Sequence, residues 1–133
     1  MFDFFKKKDK KPEPIPEKKE LSEVEKLERQ ELIAKKEEEL TRLEKSSDNI
    51  ELAKLYEEIG VLQADLDANL AITTLEKSFS YKPSIGDGFK TLMSLYNQKR
   101  SEAAYKGDGD GIEKWMNKMD ELRQIARNNT ISN

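Results

Sequence analysis

Apolar residues recur along this chain at the spacing of amphipathic helices, five times over, and polar or glycine-rich breaks separate the runs. The first run, Leu21, Val24, Leu27, Leu32, Ile33, Leu40 and Leu43, is thin. Leu21, Leu32 and Leu43 stand eleven apart, which keeps them nearly in register on a 3.6-residue helix. Ser22-Glu23-Val24-Glu25 has the form of a capping box, so a long polar helix should start there and run to about Lys45. Glu28, Lys36 and Glu39 interrupt any heptad seam, so the helix offers one narrow stripe with its other faces in water. Ser46-Ser47-Asp48-Asn49 ends it and caps the next helix, in which Leu52, Leu55, Tyr56, Ile59 and Leu62 share a face. Asp65-Leu66-Asp67 is a turn, and Leu70, Ala71, Leu75 and Phe79 (with Ile72 alongside) form the following face up to Pro83.

Ser84 to Asp87 is a further cap, before Phe89, Leu92, Met93 and Tyr96 on a helix that continues through Arg100 to Tyr105. Gly107-Asp108-Gly109-Asp110-Gly111 stops it. Asp110 and Glu113 then cap a last helix, striped by Ile112, Trp115, Met116, Met119, Leu122 and Ala126. The spacing predicts an all-α fold: a tail over 1–20, a long polar helix over 21–46, a helical domain over 47–127 and a frayed end over 128–133.

The stretch from Tyr56 to Ser84 resembles a tetratricopeptide (TPR) unit. That family's first helix carries a bulky residue, an aliphatic one and a small one, matched by Tyr56, Ile59 and Gly60. Its second helix is matched by Ala71, Leu75 and the closing Pro83, with Ser78 where alanine is commoner and a turn one residue short. Phe89, Leu92 and Tyr96 fit the first helix of a second unit, with Met93 in place of the small residue. The resemblance spans about 50–127 and implies two antiparallel hairpins, the polar helix capping them. It further implies a groove that binds a peptide or helix of another protein, lined by Lys54, Glu58, Lys90 and Asn97, with Tyr96 at its edge. Two units bury little surface alone, so extra helices or self-association should supply the rest.

Composition narrows the function. Charged residues make up 38% and apolar ones 35%, which suits helices with one wet face. With 24 basic against 27 acidic side chains there is no basic excess to drive nucleic-acid binding. No cysteine and no histidine occur, which removes thiolate chemistry, the commonest general base and the commonest transition-metal ligand. Asp108 and Asp110 have the spacing of a calcium loop, but Ile112 and Met119 fall where oxygen ligands are needed, so no metal and no cofactor are expected. Trp115, Met116 and Met119 suit a core better than a ligand box. The charges around Lys35, Lys36 and Glu37 to Glu39 suit a solvated face with pairs such as Glu31–Lys35.

The tail is of a different kind. Phe2, Phe4 and Phe5 precede Lys6, Lys7, Lys8, Lys10 and Lys11, and Pro12, Pro14 and Pro16 then favour an extended spacer. Similar short Phe-then-Lys segments begin several bacterial peripheral membrane proteins. Such a tip would set aromatic rings at the headgroups of an anionic membrane and lysines against its charge. No run long enough to span a bilayer and no secretory leader is apparent, so a cytoplasmic protein is expected, at times on the inner face of the membrane. The sequence thus favours a non-enzymatic adaptor that binds another protein. The alternative is a dimeric coiled-coil spacer in which helix 21–45 pairs with its copy, and an enzyme ranks third.

Overall fold

The computed structural model describes residues 20–45 and 48–132, and within them it is all-helical: α1 (Glu23–Leu43), α2 (Asn49–Gln63), α3 (Ala68–Tyr81), α4 (Asp87–Lys106) and α5 (Gly109–Ser132). Local chemistry sets most of the boundaries. Ser22 and Glu25 close the capping box reciprocally, each backbone N–H donating to the other's side chain at 3.1 Å. Asp48 accepts from the N–H groups of Ile50 and Glu51, and Asp67 from that of Leu70. Tyr81 ends α3 two residues before Pro83, which cannot continue a helix.

The α4–α5 joint is tighter than the glycine-rich run suggests. Gly107 adopts φ 75°, and its N–H and that of Asp108 turn back to the carbonyls of Ala104 and Ala103. Asp108 then accepts from Gly111 N–H at 3.0 Å. The cap of α5 is therefore Asp108, two residues before the expected Asp110, and Gly109 and Gly111 lie inside the helix. One stop and one start occupy two residues. At the other end α5 remains helical through Ser132, past the point at 128 where the sequence suggests fraying.

α2 and α3 form one antiparallel hairpin and α4 and α5 the other, while α1 runs along α2 and α2 also meets α4. The first hairpin closes at Gly60, where a Cβ would lie 2.5 Å from Leu75 Cγ. It is tied by Ser78, whose buried hydroxyl donates to the Ala53 carbonyl at 2.7 Å. Tyr56 and Tyr81 stack at 5.6 Å between ring centroids. The main core joins the two hairpins through Ala71, Ile72, Leu75 and Phe79 of α3, Leu92, Leu95 and Tyr96 of α4, and Leu122 of α5. Trp115 lies against Tyr96, with ring centroids 5.8 Å apart, and keeps one part of its surface open.

α1 is attached differently. Leu21, just ahead of it, is buried, but no residue from Glu23 to Leu43 is. Its antiparallel course is marked by three polar contacts. Tyr56 donates to Glu44 at 3.3 Å, Lys36 pairs with Glu58 at 3.3 Å, and Arg29 pairs with Asp65 at 3.6 Å. Pairs this open to water contribute only about 0–1 kcal/mol each.

Candidate partner-binding surface

α2 lies between α1, α3 and α4, and the open space around it gathers where α1 crosses its outer face. Two clefts flank that contact. One, of about 490 Å³, is lined by Glu39, Arg42 and Leu43 of α1 with Glu51, Lys54, Leu55 and Glu58 of α2. The other, of about 570 Å³, has a more apolar lining in which Leu32 of α1 meets Val61 and Leu62 of α2. Lys36, Lys54, Glu57, Glu58 and the start of α4 at Gly86 and Asp87 complete it. Lys54 and Glu58 face both clefts because they sit four positions apart on one side of α2.

The five residues expected to line a groove do not form a single surface. Lys54 and Glu58 lie side by side along both clefts. Lys54 is exposed, while Glu58 is already engaged by Lys36 of the chain's own α1. Lys90 stands exposed on α4. Asn97 is half-buried, and its side-chain oxygen accepts from Arg100 Nε at 3.0 Å. Tyr96 is not at an edge: it is 4% exposed, and its hydroxyl donates to Glu76. Its position in the middle of α4, facing α3 and α5, puts the ring in the core. Phe2, Phe4, Phe5, Lys6, Lys7 and Lys8 lie outside the described residues.

Tyr96 is part of a polar clamp across three helices. Glu76 on α3 accepts from the Tyr96 hydroxyl on α4 and from Lys118 Nζ on α5, the latter at 2.9 Å. Burial, and then the Glu76 carboxylate, raise the tyrosine pKa well above its ordinary value. A third, smaller cleft of about 330 Å³ opens beside this clamp, with Phe79, Leu92, Leu122 and Ile125 along it. Elsewhere Lys77 holds its ammonium 5.0 Å from the Tyr56 ring centroid, and hydrogen bonding to Tyr56 raises the lysine pKa.

Two functional features escaped the sequence. Lys36, expected on a solvated face, is half-buried against Glu58, because α1 turns the side that carries Arg29, Ile33, Lys36, Leu40 and Leu43 toward α2. The eleven-residue spacing of Leu21, Leu32 and Leu43 traced that side only at its ends, since Leu32 stays 47% exposed while Ile33 and Leu40 are half-buried. Glu57 was also unforeseen. Its carboxylate accepts from Gly88 N–H at 2.7 Å and from the Ser84 hydroxyl at 3.4 Å, so α2 caps α4 from outside.

Among the described residues no cluster of acidic side chains suited to a metal ion occurs, and no helix is long and apolar enough to cross a membrane. Comparison with family models, with curated proteins and with solved structures found no match to this chain.

Proposed function

We propose that this protein is a non-enzymatic adaptor that binds another protein, in the manner of the TPR-like hairpins its sequence resembles. The observation that carries the reading is the pair of open clefts on α2, both lined by Lys54 and Glu58. Their linings mix leucine and valine with charge, which suits an amphipathic helix laid in a groove better than a small molecule enclosed on all sides. The Phe-and-Lys tail would hold the adaptor on the inner face of an anionic membrane.

A photo-cross-linker placed at Lys54 tests the binding surface inside the source cell. One specific adduct, identified by mass spectrometry and lost on Glu58→Lys, is expected. Cross-links spread over many abundant proteins and unchanged by Glu58→Lys would overturn the reading. For the tail, sedimentation with anionic vesicles should retain the full chain and release it in high salt, as screening shortens from about 10 Å at 0.1 M to about 3 Å at 1 M. Equal sedimentation after Phe2, Phe4 and Phe5 are replaced by serine would remove the tether.

A further inference from the structure

The contact between α1 and α2 has the form of a bound ligand and its site. Two cations on α1, Arg29 and Lys36, are seven positions apart, and so are the carboxylates that receive them, Glu58 on α2 and Asp65 in the turn just after it. On α1 seven residues are two helical turns, about 10.5 Å, and with α1 antiparallel to α2 the two cations reach Glu58 on the helix and Asp65 in the turn beyond its end. Ile33, Leu40 and Leu43 are half-buried on the same side of α1 as the cations, Leu32 stands at the rim of one cleft, and clefts remain on both sides.

The same contact is built to be dispensable. α1 has no buried residue between its ends, and Leu32 remains 47% exposed. It packs on α2, and the main core contains none of its side chains. Its removal would uncover α2 without opening the hairpins.

We infer that the outer face of α2, with Glu58 on the helix and Asp65 in the turn that follows it, is an exchangeable helix-binding surface on which α1 is the resident occupant. The partner it accepts is a helix of another protein with two basic residues seven positions apart, flanked by leucine-like side chains. This rests on the adaptor reading and specifies its partner. Because α1 is covalently attached, it competes at a high effective concentration, and a partner gains access when α1 is loosened or outmatched.

The test uses the full chain and a labelled synthetic peptide of residues 20–45, which carries the recognised pattern. In the Arg29→Glu/Lys36→Glu variant, amides of residues 23–43 should exchange faster while those of α3 stay protected. The same variant should bind the peptide about tenfold or more tightly than the unaltered chain, since the tethered competitor is gone. Adding Glu58→Lys and Asp65→Lys to that variant should restore protection of α1 and abolish peptide binding. Unchanged α1 exchange in the first variant, or no gain in peptide affinity, would overturn the proposal. A unaltered chain of doubled mass in ultracentrifugation, with α1 protected only in the dimer, would give the surface to a second copy and overturn the partner assignment. The two readings fail separately: a specific adduct at Lys54 with no peptide binding overturns this surface alone. Peptide binding with no specific adduct in the cell overturns the adaptor reading instead.

Discussion

Gly60 and Leu75 meet so closely that a single methyl group on the glycine would lie 2.5 Å from Leu75 Cγ and 2.6 Å from Cδ2. Leu75 is fully enclosed, so it has little room to retreat. A mid-helix glycine ordinarily sacrifices about 1 kcal/mol relative to alanine, and here the close approach of two helices outweighs that loss. Gly60→Leu should therefore destabilise the domain by about 3 kcal/mol, the upper part of the range for overpacking. Urea unfolding would measure it, and equal stability would remove the close-packing account.

Glu57 should matter more than its half-exposed position implies. It supplies the acceptor that Gly86, the N-terminal flank of α4, has no side chain to provide. Glu57→Ala should cost about 1–2 kcal/mol, as loss of a helix cap does. The Gly88 amide should also exchange faster than amides in the middle of α4. A change in global stability without faster exchange at Gly88 would point to some other role.

Ser78 stands where the resembled repeat carries alanine, and its hydroxyl bonds the Ala53 carbonyl inside the hairpin. Ser78→Ala should lose about 1 kcal/mol in chemical unfolding, the net contribution of an ordinary buried hydrogen bond. A more stable alanine variant would mean that the bond only compensates for burying the oxygen.

Trp115 and Leu75 rank in an order that composition alone would reverse. The tryptophan is larger but partly open, whereas the leucine is enclosed on every side. Leu75→Ala should cost about 3–4 kcal/mol and Trp115→Ala about 2 kcal/mol, below the usual figure for a fully buried aromatic ring. Thermal melts of the two variants decide the order.

Alkali should act on the Tyr96–Glu76–Lys118 clamp. The folded state holds the Tyr96 phenol protonated above its ordinary value, first through burial and then through Glu76. A pKa raised on folding contributes stability that is complete below the unfolded value of about 10 and is lost as pH rises beyond it. The melting temperature should fall above about pH 10, and Tyr96→Phe should fall less steeply because one such group has been removed. Parallel curves would mean that another group governs the alkaline loss.

The sequence made the helices legible because their signals are local. The capping box at Ser22, the cap at Asp48, the turn at Asp65 to Asp67, and the stripe through Leu52, Tyr56 and Ile59 each need only a few neighbouring residues. Gly60 stood out only as the small residue of the resembled unit, and the residue it meets, Leu75, could not be read from periodicity. What stayed hidden depends on which elements meet. Nothing near Gly88 announces that its acceptor is Glu57, thirty-one residues earlier. The surface status of Lys36 and the edge position of Tyr96 were misjudged for the same reason: each side chain's partner, Glu58 or Glu76, belongs to another helix.

The two-residue joint at Gly107 and Asp108 has a consequence for how the chain folds. It brings α4 back onto α5 with almost no chain to close, so the loop entropy that delays distant pairings is close to its minimum there. Every helix also has a sequence neighbour as a packing partner, with the contact of α2 on α4 reaching across a hairpin. Chains dominated by such local contacts reach the native state within about microseconds to milliseconds. Folding can therefore begin in the α4–α5 hairpin before the rest of the molecule has found its place.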